Sequence, residues 1–564
     1  MKRFLTIFSV AVLTVACSSQ LGVSNDQPLS PDSDKAIVKR GGAPLFYGMG
    51  DFHREITTND PAAQRYFDQG MVLAFGFNHA ESIRSFKAAQ KIDPSCAMCF
   101  WGEALATGPN INVTSKGKAV MSDADRQSAF AAIKKAKSLA SAASKAERKL
   151  INALGQRYNG KPDTDRDPLD HAWAAAMRDY VADYPEDNDA AAIYAEAWMN
   201  TMPWDYWSAS GEPKPATVEV IVTLESILER DPKHPLALHL YIHAVEASAN
   251  PGRAEKAADT LAHLVPGSGH LVHMPAHIYW RVGRYHDAAE ANIRAASVDE
   301  EYIAQCNAQG FYPALYYPHN IHFLWAASSM QGRSSVAIPA ARKVAANVRL
   351  EQIEQFPTVE FFQTIPLLSL VQFGRWDEVL AEPRPPESLD YSTAIWHYAR
   401  GTAFAAKGEL KAALDARQSL VPLRDSVQIS FLDSSDYPAS ALLSIADNLL
   451  LGDIAMAKDK PADAVEFYQK AVAAQDTLPY TEPPFWYYPT RQSLGKALLA
   501  AGRNSEAESV YRTDLEHYPL NGWSMYGLMQ ALNAQGKKDE AAKVNETFAK
   551  VWAMADVTLS SSRL

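Results

Sequence analysis

The sequence predicts an all-α protein, an α-solenoid in which helix-turn-helix repeats stack one on the next. A helix-ending glycine followed five positions later by a small residue recurs as Gly283/Ala288, Gly332/Ala337, Gly374/Val379, Gly408/Ala413, Gly502/Ala507 and Gly536/Ala541. The glycine makes the turn, and the small side chain lets the second helix pack closely against the first. No run of alternating apolar and polar residues competes with this pattern as a strand.

The repeat length identifies the type of solenoid that the chain resembles. Gly374 and Gly408 lie 34 residues apart, as do Gly502 and Gly536. This period is typical of the tetratricopeptide repeat, and the chain resembles tetratricopeptide proteins from about residue 60 to about residue 555. It also resembles large bacterial members of that family in its blocks 93–99 and 270–277. The resemblance implies the fold and names no reaction.

Segments rich in aromatic residues and proline interrupt the period. They occupy residues 201–207, 300–317 and 483–489. Insertions in a solenoid often emerge as loops on the binding face, although they also fill gaps between imperfect repeats. We therefore expect an N-terminal solenoid over 46–299, an insertion over 300–317 and a C-terminal solenoid over 318–564.

The N-terminus resembles a bacterial lipoprotein signal. A positive Met1-Lys2-Arg3 precedes a short apolar run and Cys17, and the run is too short to span a bilayer as a mature helix. The resemblance implies a signal peptide over 1–17, lipidation of Cys17 and an outer-membrane lipoprotein of the bacterial cell envelope. Ordinary cleavage without lipid is the alternative. Residues 18–45, rich in Ser, Asp, Pro and Gly, are expected to form a flexible tether.

Charge limits the possible partners. The 564 residues carry a formal net charge of −11, and no basic block stands out. A mildly acidic chain of this kind predicts no nucleic-acid binding and no membrane contact beyond a lipid anchor. The expected partner is a protein, a peptide or a small molecule.

Histidines are concentrated in one part of the chain and follow the repeat. Ten of the fifteen lie between His234 and His322. His239 and His243 superpose on His273 and His277 after one 34-residue translation. Residues four apart share one helix face, with Cβ atoms about 5–6 Å apart. Pro275 is expected to interrupt the second of these two helices.

In tetratricopeptide proteins, one face of the first helix of each repeat lines a concave ligand groove. The resemblance places the following residues on that face: His239, His243, Glu246, His270, His273, His277, Trp280, Arg281, His319 and His322.

Three interpretations of the histidine cluster remain open. A transition metal held by His239, His243, His273, His277 and His322 would be Zn, Cu or a similar ion, since imidazole suits these metals. The groove residues Glu246, His270, Trp280, Arg281 and His319 could instead grip a ligand without metal. The histidines could also be structural, packed between helices.

Three functions correspond to these interpretations. The leading one is an exported protein that binds a ligand or partner in its groove, with a metal at the histidines. The second is a metal-dependent hydrolase in which Glu246 acts as general base. The third is a metal-free interaction scaffold. The sequence carries no HExxH, GxSxG or Walker A motif that would support catalysis.

A CxxC pair, Cys96 and Cys99, follows Asp93-Pro94 and enters a helix. A redox-active or soft-metal pair is one interpretation, because a helix N-terminus lowers thiol pKa values. A local disulfide in an oxidising compartment is the other.

Overall fold

The protein is α-helical, as the sequence predicts. The computed structural model describes residues 31–115, 117–208, 211–306 and 311–564. Strand structure in these residues is confined to one two-residue hairpin, β1 (Thr114–Ser115) against β2 (Lys118–Ala119), and one isolated bridge. Consecutive helices pack in pairs, such as α2 with α3 and α23 with α24, as expected of helix-turn-helix repeats.

The N-terminal part of the described chain contains α1 (Pro31–Gly41), α2 (Pro61–Phe75), α3 (His79–Ile92), α4 (Ala97–Thr107), α5 (Asp123–Leu139), α6 (Lys145–Leu154), α7 (Asp167–Asp183), α8 (Asn188–Met199), α9 (Pro215–Arg230), α10 (Pro235–Val245), α11 (Glu255–Leu261), α12 (Gly269–His273), α13 (Pro275–Arg281) and α14 (Tyr285–Cys306).

The C-terminal part contains α15 (Phe311–Met330), α16 (Ser334–Ala346), α17 (Leu350–Gln355), α18 (Ile365–Gln372), α19 (Trp376–Ala381), α20 (Asp390–Ala406), α21 (Leu410–Leu420), α22 (Val427–Asp433), α23 (Ala439–Ala457), α24 (Pro461–Asp476), α25 (Arg491–Ala500), α26 (Asn504–His517), α27 (Gly522–Ala534) and α28 (Lys538–Val551). Short 3-10 helices occupy Pro251–Ala254, Pro357–Thr364 and Val421–Asp425.

The expected tether is wrong for residues 31–45. These residues include α1, which packs on α3, and Ala43 and Leu45 are buried in the core. The Asp34 carboxylate pairs with Arg65 on α2. The polar composition therefore corresponds to an amphipathic element with a buried side, not to a free linker. The predicted signal over 1–17 and its Cys17 lie outside the described residues and stay predictions.

The expected insertion over 300–317 also differs from the structure. Residues 300–306 continue α14, and residues 311–317 form the first turns of α15. Tyr312, Tyr316 and Tyr317 are buried there. The aromatic residues thus fill space between helices, which was the alternative to a protruding loop.

The end of the chain returns to the middle of the array. The Trp523 indole on α27 donates to the Ser329 carbonyl at the end of α15, with an N–O distance of 2.9 Å. Arg563 donates to the Gln372 side chain at 2.6 Å and to the Tyr487 hydroxyl at 2.9 Å. A hydrophobic core connects residues from Ala43 to Leu559. The array is therefore tied to itself instead of being open at its C-terminal end.

Among the described helices, α23 alone has the length and apolar composition of a membrane span. In this structure it lies between α20 and α24, and most of it is buried. Its apolar character is accounted for by its place in the protein core.

Asp514 on α26 makes stability depend on pH. Its carboxyl is buried and accepts hydrogen bonds from Ser524 and Asn521. Burial raises the pKa of Asp514 to about 7, from 3.8 in an exposed aspartate. The folded protein therefore keeps a proton that the unfolded chain loses, and stability falls as pH rises towards 7.

We expect Asp514→Asn, which carries no charge at any pH, to melt at a higher temperature than the parent at pH 8. The two melting temperatures should converge near pH 4. Thermal unfolding followed by circular dichroism measures both, with the exposed Asp463→Asn as control. A variant less stable than the parent at pH 8 would contradict the assignment.

Candidate functional site: two histidine triads

Helix α10 places the first pair of histidines. Pro235 occupies its first turn, where a missing N–H costs nothing, and the His234 side chain caps it by accepting from the Ala237 N–H. His239 and His243 follow one turn apart, and Glu246 comes directly after the last turn. All three side chains are buried. A short, fully buried helix thus carries two imidazoles and a carboxylate into the interior.

Proline divides the second histidine segment as expected. Pro275 cannot donate a backbone hydrogen bond, so α12 ends at His273 and α13 begins at Pro275. His270 and His273 lie on α12, and His277 lies on α13. The helix α15 adds His319 from a third direction. Three repeats therefore converge on one buried volume.

The histidines form two sets, which we call the first triad (His239, His243 and His270) and the second triad (His273, His277 and His319). Within each set, one ring nitrogen from every histidine lies within 4.8 Å of the others. The sets are adjacent, because the ring centroids of His243 and His277 are 5.5 Å apart. The structure thus brings together six imidazoles in two neighbouring groups.

Hydrogen bonds fix the ring orientations in the first triad. The Nδ1 of His239 lies 2.7 Å from the Phe75 carbonyl oxygen, and the Nδ1 of His243 lies 2.8 Å from Glu246 Oε1. Both acceptors lack a proton, so each Nδ1 carries the hydrogen and each Nε2 keeps its lone pair. Among the described residues, the Nε2 atoms of His239 and His243 have no hydrogen-bond partner. Both ring nitrogens of His270 also lack one there. Burial of a polar atom without a partner is costly, so these four nitrogens are available to a ligand.

The second triad is tighter. The Nε2 of His273 lies 2.9 Å from the Nε2 of His277 and 3.1 Å from the Nε2 of His319. The Nδ1 of His273 lies 2.7 Å from the oxygen of Asn292, whose amide nitrogen donates to the Ala288 carbonyl. The proton of His273 is therefore on Nδ1, and its Nε2 directs a lone pair at the other two rings. Lone pairs this close repel unless a proton or a cation lies between them.

Glu246 connects the triads. Its Oε1 accepts from His243 and its Oε2 accepts from His277 Nδ1 at 2.5 Å. Burial would raise the pKa of Glu246, but the two imidazoles lower it to about 2. Burial likewise would lower the pKa of His277, but Glu246 and Glu482 raise it to about 10. In the metal-free state His277 is thus protonated and supplies the proton between His273 and itself.

The other triad members are neutral. Burial, followed by the neighbouring imidazoles, lowers the pKa values of His270, His273 and His319 well below their ordinary value. Burial also lowers the pKa values of His239 and His243. Neutral imidazole is the form that binds metal ions.

Each Glu246 oxygen accepts a hydrogen bond from an imidazole Nδ1. The general-base role expected from the sequence stays a prediction. The place of Glu246 matches the carboxylate that orients a metal-binding histidine from behind.

Glu482 is the site residue that sequence analysis missed. Its buried carboxylate lies 3.4 Å from His277 Nδ1 and accepts from the Tyr480 hydroxyl. Burial raises its pKa. It comes from the segment between α24 and α25, directly before the aromatic insertion 483–489. No periodicity places this segment over α13, so no sequence signal marked it.

His322 does not join either triad, contrary to expectation. Its ring stacks on Trp325, with centroids 5.2 Å apart, and contacts Phe361 and Phe362. Burial lowers its pKa to about 3. His270, assigned from the sequence only to the groove, lies with His239 and His243 instead.

The expected open groove is also replaced by an interior. Trp280 is buried against Tyr285 and Phe323. Arg281 is bonded to the Glu246 and Ser248 carbonyls and lies over the Tyr480 ring. These two side chains would face solvent in an open solenoid. Here Tyr480 and the segment that follows it lie against them.

A cavity of about 140 Å³ adjoins the second triad. His319 and Glu482 form one end, and the remaining wall is mostly aromatic. The first triad is fully buried, whereas His319 is partly exposed towards this cavity. The two triads therefore differ in access.

Cys96 and Cys99 form a disulfide at the N-terminus of α4. This is the second of the two interpretations of the CxxC pair. Both cysteines are buried, far in sequence from the histidine segments.

Comparisons with known proteins identify the repeat. Residues 493–550, which span α25 to α28, match the tetratricopeptide repeat family. No curated protein sequence matches the chain. Human IFIT1 in complex with m7Gppp-AAAA aligns at 13% identity and a TM-score of 0.32, covering 76% of this chain and 87% of that one. Yeast Tom70 aligns at 12% identity and a TM-score of 0.26, covering 88% and 93%. Overall similarity of this degree says nothing about function. The family match identifies a tetratricopeptide repeat over residues 493–550, and the described helices before it pack in similar pairs.

Proposed function

We propose that this protein binds two transition metal ions, one at each histidine triad. The observation that carries the proposal is the direction of the lone pairs. In the second triad, three Nε2 atoms converge while Asn292 and Glu246 hold two of the rings from behind. In the first triad, the Nε2 atoms of His239 and His243 lie beside His270 with no partner among the described residues.

The spacing suits a metal ion. Nitrogens bound at about 2.0–2.1 Å in a tetrahedral site lie roughly 3.3 Å from each other. The shorter separations of 2.9 and 3.1 Å in the second triad need only a small outward shift of the rings. Imidazole donors without sulfur favour Zn, Cu, Fe or Ni over Mg or Ca.

The competing occupant of the second triad is a proton. A protonated His277 donating to His273 satisfies that pair without metal. It leaves the buried nitrogens of the first triad without partners. A metal at each triad accounts for both groups, which is why we favour it.

The test is metal analysis of the full chain by mass spectrometry after incubation with Zn or Cu and removal of excess ion. We expect two equivalents per chain, released by a strong chelator. Calorimetric titration of the chelator-treated protein at pH 7 gives the affinities. A protein that retains no stoichiometric metal under these conditions would leave the proton as the occupant and rule out this function.

A further inference from the structure

The two triads differ in their access to the cavity, and this difference bears on the role that a metal ion would have in each. Structural metal sites are closed by protein ligands, whereas catalytic sites keep an open position for water or substrate. The first triad has no exposed member. The second triad reaches the cavity through His319, and Glu482 lines the same end. An ion at the second triad would thus face the cavity.

The walls of the cavity define the chemistry of its occupant. Phe361 and Tyr437 lie almost parallel, with ring centroids 5.5 Å apart and an interplanar angle of 15°. Trp325, Tyr391 and Phe485 extend this aromatic wall. Aromatic rings favour stacked or edge-on contacts with another ring.

The size and charge of the cavity restrict the range of ligands further. An apolar cavity of about 150 Å³ holds one benzene ring, and this cavity measures about 140 Å³. Its lining contains no lysine or arginine, and Glu482 would repel an anion. Without a basic side chain in that lining, an anionic ligand would lose hydration there without compensation.

We propose that this cavity binds one small uncharged aromatic molecule of the size of phenol, as the substrate of the second triad. The assignment to a substrate rests on the proposed metal centre. The ring lies between the aromatic walls. The polar end faces His319 and Glu482, next to the open side of the ion.

The experiment titrates phenol into the full chain by calorimetry, in the chelator-treated and the Co(II)-loaded forms. We expect saturable binding of one phenol in both forms, and a shift of the visible Co(II) absorption on binding. Benzoate should not bind, because it is an anion, and 1-pyrenol should not bind, because it is too large.

Leu368→Phe fills part of the cavity from its wall and should weaken phenol binding at least tenfold. Leu350→Phe makes the same change at a side chain on the surface and should leave binding unaltered. Circular dichroism checks that both variants fold. If Leu368→Phe does not fold, the binding of the ligand series to the parent protein tests the proposal instead.

The outcomes separate this inference from the metal proposal. Absence of phenol binding, or equal binding to Leu368→Phe, overturns the inference even if both metals are present. Binding without a Co(II) spectral change overturns the substrate role. If phenol binds but Co(II) does not, the metal proposal is wrong, and with it the substrate role, whereas the assignment of an aromatic ligand to the cavity stands.

Discussion

Replacing one ligand in each triad should remove the metal ions one at a time. We expect His239→Ala to retain one of two equivalents, His273→Ala to retain the other, and the double variant to retain none. The lost site should bind at least about a hundredfold more weakly, since even a residue behind a ligand contributes about 10–100-fold. Metal content by mass spectrometry, with calorimetry for the affinities, measures this.

His322→Ala is the matched control for these variants. His322 is buried and lies three residues after His319, but it stacks on Trp325 outside both triads. It should therefore keep both ions. Loss of a metal equivalent in His322→Ala, or full metal content in the double variant, would contradict the assignment of the triads.

Glu246→Gln should weaken both sites at once, although Glu246 is not a ligand in either. Its two oxygens accept from His243 and His277, one in each triad. A glutamine offers one oxygen and one NH₂ group, so one imidazole would face a donor instead of an acceptor. Loss of such a partner costs about 10–100-fold in metal affinity. Competitive titration against a chromogenic chelator measures both affinities.

Glu482→Gln provides the comparison. Glu482 makes its histidine contact with His277, a member of the second triad, so this variant should weaken the second triad and leave the first unaltered. If Glu246→Gln affected only one site, the shared carboxylate would not couple the triads as the structure indicates.

The periodicity of the sequence predicts most of the fold and part of the candidate site. The predicted five-histidine site is divided between two triads and lacks His322. The i, i+4 pairs do place His239 beside His243 and His273 beside His277, and Pro275 divides the second segment as expected. These features depend on helix geometry and on stacking of neighbouring repeats, both of which are local in sequence.

Helix geometry explains why His270 lies in a triad and His322 does not. Residues three apart on an α-helix are turned by about 60° from each other. On α12 this turn sends His270 to the first triad and His273 to the second. On α15 it sends His319 to the second triad and His322 to the aromatic rings around Trp325. Repeat register cannot resolve such a difference.

The closure of the site was not predictable from the repeat pattern. An ideal solenoid leaves its concave face open, and the resemblance to tetratricopeptide proteins places Trp280 and Arg281 on such a face. In the structure the segment carrying Tyr480 and Glu482 covers them. The contact joins residues about 200 positions apart, as His277 to Glu482, and no local signal specifies it.

The return of the last repeats to the middle of the array has a consequence for folding. Solenoid repeats usually contact only their neighbours, so their ends fray and unfolding proceeds repeat by repeat. Here Trp523 is bonded to Ser329 across 194 residues of chain. Closing so long a loop costs entropy and slows folding. The terminal repeats therefore lose their freedom to fray, because unfolding them breaks contacts with the middle of the array as well as with their neighbours.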